Sequence, residues 1–231
     1  MDAVYIYKAK PCQEELRFSL RSIETNLSCY SGKVVVIGDR PRFANDLITW
    51  VKFGGLAGSK YDNAYSRIMR AARSANVSED FILMNDDFII TKPMPRIPAF
   101  ALDQTIDEWI RDYPADMLGP YYQKIVATRK LIGPDAPSFE VHAPIVYNKA
   151  RLLALEEKYT LPCGVLLRTL YAHEYGIKPT KLKDRKAKTI AELRRLAPGP
   201  FVSTTDEIGA TREFREIMGA LFPNPSSYER R

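Results

Sequence analysis

The segment FILMNDDFII, residues 81–90, places an apolar run of strand length on each side of Asn85-Asp86-Asp87. Phe81–Met84 and Phe88–Ile90 are too short for helices and read as buried strands. A strand that is apolar throughout needs a layer on both faces, which is the arrangement of an α/β sheet. The two neighbouring carboxylates repel each other and require hydrogen bonds, solvent or a cation. At the end of a central strand they face the crevice where open α/β sheets bind ligands. One reading is a hard divalent cation, Mg²⁺ or Mn²⁺, bridging carboxylates to phosphates. The other is a polar β-turn, because Asn and Asp favour turns.

The surrounding text supports the sheet. Ala3–Tyr7 reads as a first strand, and Pro11 suits the first turn of a helix. Leu16, Leu20, Ile23 and Leu27 recur at helical spacing with Arg17, Arg21 and Glu24 between them, giving an amphipathic helix with a basic flank. Lys33–Ile37 is a buried strand ended by Gly38-Asp39. The chain thus opens β-α-β, with parallel pairing if both strands share a sheet. A glycine-rich turn falls at 53–58, and a helix is expected from about Asp62 to Ser74, with Ala64, Ile68, Ala71 and Ala72 on its apolar face. Pro93, Pro95 and Pro98 then break regular structure.

Beyond residue 98 helical patterns dominate, near 103–112, 115–131, 148–158, 164–175 and 188–196. A strand at Phe201–Ser203 precedes a last helix around 208–221. The expectation is one domain over 1–231, with a nucleotide-binding half, 1–98, and a helical acceptor-binding half, 99–231.

The 231 residues are 45% hydrophobic and 27% charged, proportions that exclude disorder, collagen and a coiled coil. Cys12, Cys29 and Cys163 are too few and too scattered for a disulfide framework or a zinc knuckle. The first residues carry no secretory pattern, and no apolar run reaches the roughly 20 residues of a bilayer span. A soluble cytoplasmic protein is expected, with no membrane and no obligate protein partner. The formal net charge is +6, and residues 178–195 hold eight basic and two acidic residues, so the basic excess is concentrated there. Such a stripe suits a polyanion; a solvated surface is the alternative.

Several blocks carry a resemblance. ELRFSLRSIE (15–24) and FILMNDDFII (81–90) closely resemble two blocks of the Stealth family of sugar-phosphate transferases. KVVVIGD (33–39), Tyr61-Asp62-Asn63-Ala64, Val141-His142-Ala143-Pro144 and Ser203-Thr204-Thr205-Asp206 follow in the family's order, and LFPNPSSYE (221–229) is similar to the ending of compact Stealth-related glycosyltransferases of phages and bacteria. The resemblance implies an α/β fold: a GT-A-like, Rossmann-type mixed sheet flanked by helices, with a helix-rich C-terminal half. It also implies a nucleoside diphosphate sugar donor, UDP-sugar favoured, and Mn²⁺ or Mg²⁺. One departure matters: where the family's first strand leads into an aspartate, this chain has Lys8-Ala9-Lys10. That disfavours phosphotransfer relative to plain glycosyl transfer.

Candidate roles follow. Asp86 and Asp87 are the metal candidates, with Asp86 also facing the donor and Asp87 counted as catalytic. Lys8, Lys10, Arg17 and Arg21 are donor-phosphate candidates, because the end of the first strand and the next helix border the crevice; a solvated face is the rival for the arginines. Asp62 and Asn63 are read as donor contacts or as helix caps. His142 suits proton abstraction from an acceptor hydroxyl or a third metal position, with Glu140 the alternative base and a ring satisfied by a backbone bond the structural rival; His173 is read as structural. Asp206 is a metal or acceptor contact, or a helix cap before Ile208. Lys178, Lys181, Lys183, Arg185, Lys186 and Lys188 are candidates for a nucleic-acid acceptor, such as a hydroxymethylated base in DNA. Two other readings stand beside glycosyl transfer: a hexose-phosphate transferase acting on a glycan, and a non-enzymatic nucleic-acid-binding protein.

Overall fold

At the centre of the computed structural model, which describes residues 1–54, 59–113, 119–159 and 164–230, β1 (Asp2–Tyr7) lies parallel to both β2 (Val34–Gly38) and β4 (Asp80–Met84). With β3 (Thr49–Lys52) and β7 (Ile145–Asn148) they form a five-stranded sheet of order β3-β2-β1-β4-β7. Only β7 runs antiparallel, against β4. The strand residues alternate between two cores, as the pleat requires. Tyr5, Tyr7, Val34, Val36, Ile82 and Met84 pack beneath α1 (Glu14–Asn26), while Val4, Val35, Ile37, Phe81 and Leu83 pack beneath α2 (Lys60–Ala72) and α5 (Lys149–Tyr159).

The intervening strand β5 (Phe88–Ile90) does not continue β4 within this sheet. It pairs antiparallel with β10 (Phe201–Thr204), which pairs parallel with β9 (Lys186–Ala187). The polar triplet is therefore the corner at which the chain leaves one sheet for another. β6 (Phe100–Leu102) and β8 (Thr180–Leu182) form a separate parallel pair.

Helix α1 is covered on more than one side, which its apolar spacing alone did not require. Leu16, Leu20 and Ile23 face the main sheet, while Phe18 faces a third core with Ile89, Val202, Phe214 and Met218. Between these two faces a polar row runs along the helix. Ser19 Oγ donates to Phe88 O at 2.5 Å, Ser22 Oγ accepts from Ile90 N at 2.9 Å, and Asn26 Nδ2 donates to Ile90 O at 2.8 Å. These bonds satisfy the edge of β5 that β10 does not reach. The blocks at 15–24 and 81–90 thus meet in space through the polar residues of the first.

The remaining helices among the described residues are α3 (Ile106–Asp112), α4 (Pro120–Ile132), α6 (Leu167–Glu174), α7 (Ile190–Leu196), α8 (Asp206–Gly209) and α9 (Arg212–Leu221). The expected helix at 208–221 is divided in two, because Thr205 and Thr211 each cap a start through their side chains. Pro11 lies ahead of α1, which begins at Glu14. β3 and β7 were not foreseen as strands. Part of the turn at 53–58, the start of the 115–131 helix and Cys163 lie outside the described residues. Among the described residues, no helix is long and apolar enough to cross a membrane.

Candidate functional site

The order β3-β2-β1-β4 reverses direction between β1 and β4, and the carboxyl ends of these two strands open a crevice, the usual ligand position in such sheets. The loop after β1 brings Lys10 to this point, and the corner after β4 brings Asn85, Asp86 and Asp87. Gly38, which ends β2, has φ +133, and a Cβ there would lie 1.9 Å from Tyr7 O, so only glycine permits this approach.

Lys10 is the hub. Its Nζ lies 2.8 Å from Asp86 Oδ2, 3.0 Å from Glu15 Oε2 and 2.6 Å from Asp206 Oδ1. Burial works against the ammonium, but Asp86 and Glu15 outweigh it and raise the Lys10 pKa. Burial also raises Asp86 against the pull of Lys10. It pushes Glu15 up to about 7, opposed by Lys10 and by the hydrogen bond from Thr204 Oγ1 at 2.6 Å. Gly209 makes room for Glu15, since a Cβ there would lie 2.3 Å from its carboxyl carbon.

Asp87 points elsewhere. It is buried, accepts a hydrogen bond from Ser203 Oγ, and lies 3.4 Å from Lys186 Nζ. It ties the corner to β10 and β9. A divalent cation is what the resemblance implies for Asp86 and Asp87, and the residues present do not fit one. The two carboxylates diverge onto different partners, each already holding an ammonium group. Among the described residues, no three His, Cys, Asp or Glu groups are arranged to hold a metal ion.

Beside Asp86 lies a cleft of about 400 Å³, lined by Ile6, Leu83 and Asn85 of the sheet and by Tyr61, Trp109 and Tyr121. Glu140, His142 and Arg168 line it too. His142 Nδ1 lies 2.7 Å from Asp184 Oδ2, and its backbone N–H donates to Asp184 Oδ1 at 3.1 Å. Burial opposes the Asp184 carboxylate, but the bond from His142 outweighs it and holds its pKa below the usual range. Arg168 fixes the same segment, donating to Val141 O at 2.6 Å and Ala143 O at 2.7 Å. Glu140 Oε1 accepts from Thr169 N and Oγ1, each at 3.2 Å. The arrangement is a concave site with an oriented imidazole and a cation–carboxylate cluster nearby, suited to moving a proton beside an anionic ligand.

The other candidates hold partners of their own or lie exposed. Arg21 forms a two-pronged contact with Glu229, at 2.7 and 2.9 Å, and Arg17 Nη1 donates to Glu229 Oε2 at 2.9 Å. Lys8 is exposed. Asp62 is the reciprocal partner of Ser59 in a capping box at the start of α2, and Asn63 Nδ2 donates to Ser59 O at 3.1 Å. Asp206 is the first residue of α8; Thr205 supplies the cap, leaving Asp206 to Lys10. His173 is exposed on α6. Within the basic stripe, Lys181 pairs with Asp103 at 2.7 Å, Lys186 with Asp87, and Arg185 donates to Phe201 O at 2.6 Å. Lys178, Lys183 and Lys188 are exposed.

Sequence reasoning missed Glu15, Asp184 and Arg168. Glu15 lies within ELRFSLRSIE, but its partners Lys10 and Thr204 come from other elements. Asp184 lies within the basic stripe, where its neighbours in sequence give no sign of His142.

No protein-family model matches the chain, and no curated protein matches it in sequence. Among solved structures it is similar to the galactosyltransferase LgtC, determined in complex with donor and acceptor sugar analogs. The match covers 97% of this chain and 98% of that chain, with a TM-score of 0.51 at 12% identity. At that identity the likeness is one of fold. The fold is a GT-A-like mixed sheet flanked by helices, with a helix-rich C-terminal half.

Proposed function

We propose that this chain is a glycosyltransferase that moves a sugar from a nucleoside diphosphate sugar to an acceptor hydroxyl. The observation that carries the reading is the cleft at the β1–β4 switch point, lined by Asn85, the neighbour of Asp86, and by His142, whose ring is held by Asp184. The fold shared with a galactosyltransferase supports it. Residues 1–98 supply the donor half and residues 99–231 the acceptor half. UDP-sugars are the favoured donors.

In the transfer, the acceptor oxygen forms a bond to the anomeric carbon as the bond from that carbon to the diphosphate oxygen breaks. The diphosphate leaves with the electron pair. The acceptor proton passes to Nε2 of His142, whose Nδ1 is held by Asp184. Glu140 orients the acceptor from the same wall. Lys8 and Lys10, in the loop after β1, meet the charge that develops on the diphosphate.

Two finer readings are tested with it. Hexose-phosphate transfer, as in the Stealth family, would release UMP from a UDP-sugar where glycosyl transfer releases UDP. A polyanionic acceptor such as hydroxymethylated DNA would use exposed Lys178, Lys183 and Lys188, which flank Asp184 in sequence, and its binding would weaken with salt. The test is a donor screen with UDP-, GDP-, ADP- and CDP-sugars, with Mn²⁺ and with EDTA, that reads the nucleotide released. Release of a nucleoside diphosphate, lost in His142→Gln, is expected. Release of no nucleotide from any donor overturns the proposal.

A further inference from the structure

We infer that the ammonium of Lys10 takes the place of a divalent cation in this site, so that the nucleotide-sugar donor binds without metal. The inference rests on the transferase reading. An ammonium has three N–H donors, and those of Lys10 are matched by the carboxylates of Asp86, Glu15 and Asp206 at 2.6–3.0 Å. A divalent ion brought to the same carboxylates would stand a few ångströms from Nζ, where like charges repel strongly in a half-buried setting. The alternative site, on Asp86 and Asp87 together, is closed as well, because Asp87 is held away by Ser203 and Lys186.

The three partners of Lys10 are not equivalent. The Asp86 and Glu15 side chains are 16% and 6% exposed and fix the ammonium, while that of Asp206 is 71% exposed. An exposed ion pair contributes little, so its exchange costs little. Asp206 therefore holds the position that a donor phosphate oxygen takes on binding. The phosphate displaces one carboxylate and keeps two of them behind the ammonium.

Two measurements test this. The first is Mn²⁺ titration followed by the electron paramagnetic resonance of the free ion. Wild type is expected to bind no Mn²⁺ at the cluster. Lys10→Ala is expected to gain one site, and the further change Asp86→Asn to remove it. A Mn²⁺ site in wild type that Asp86→Asn abolishes overturns the inference. The second is donor binding by thermal shift. Wild type is expected to be stabilised equally in EDTA and in Mn²⁺, Lys10→Ala to lose that stabilisation in EDTA, and Asp206→Asn to bind donor several-fold more tightly, with Lys10→Arg as the charge-preserving control for folding. Donor binding that requires Mn²⁺ overturns the inference and leaves the transferase reading standing. If no donor binds in either condition the transferase reading falls, and the Mn²⁺ titration still decides whether Lys10 fills the cation position.

Discussion

Ser22 Oγ accepts the Ile90 amide hydrogen at 2.9 Å and donates to Ser19 O at 2.7 Å, both within a fully buried helix–strand contact. This bond joins α1 to the strand that follows the Asp86-Asp87 corner. Replacing Ser22 with Ala strands a buried N–H, at a cost of about 1–3 kcal/mol. Urea unfolding of Ser22→Ala is expected to show a lower midpoint with an unchanged slope. A midpoint equal to that of wild type would contradict this account of the helix.

Glu229 closes the chain onto α1. Burial opposes its carboxylate, but the hydrogen bonds from Arg21 and Ser226 and the charges of Arg21 and Arg17 outweigh that and hold its pKa below the ordinary 4.5. The folded state therefore binds this proton less tightly than the unfolded state does. The stabilisation is fully present above the ordinary glutamate range and is lost as pH falls through the lower folded value. Thermal melts from pH 7 to pH 3 are expected to show a steeper loss of stability for wild type than for Glu229→Gln. Arg21→Ala, which leaves a carboxylate of 3% side-chain exposure without its main partner, is expected to cost about 3 kcal/mol.

His142 and Asp184 predict a kinetic signature. His142→Gln is expected to lower kcat by about 10²–10⁴-fold with little change in the donor KM, the range for loss of a general base. Asp184→Asn is expected to lower kcat in the same direction by less, since the ring remains but its orientation is no longer fixed by a carboxylate. Equal kcat for wild type and His142→Gln would remove His142 from the reaction.

Asp87 is predicted to be a stability residue. Asp87→Ala leaves Lys186 and Ser203 without their buried partner, at a cost of about 3–5 kcal/mol. Circular dichroism melts are expected to show this loss without any ligand present. Asp86→Asn keeps the shape of the side chain and is the cleaner probe of function. An Asp87→Ala melt matching wild type would return Asp87 to the list of reacting groups.

The β-α-β opening, the apolar strands β2 and β4 and the helical periods of the second half were readable because each is a local pattern of period 2 or 3.6. β3 and β7 were not, because Thr49–Lys52 and Ile145–Asn148 are four-residue strands whose pairing with β2 and β4 is a tertiary outcome. The importance of NDD was legible, but its geometry was not. Adjacent carboxylates in sequence suggest a shared cation, and the chain instead turns between two sheets there, sending Asp86 to Lys10 and Asp87 to Lys186. Arg17 and Arg21 looked like phosphate ligands because their partner, Glu229, lies more than 200 residues away in sequence. The same distance problem hid Asp184 from His142, 42 residues apart.

The most direct test of the transferase account is the melting temperature of the protein against a panel of nucleoside diphosphate sugars, with wild type and Asp86→Asn side by side. At ten times its Kd, a donor that binds only the folded state stabilises by about 1.4 kcal/mol, a shift of about 3–6 °C for a chain of this size. The account predicts such a shift for one donor, UDP-sugars first, and its loss in Asp86→Asn. A panel in which no nucleotide-sugar moves the melting temperature of wild type would contradict it.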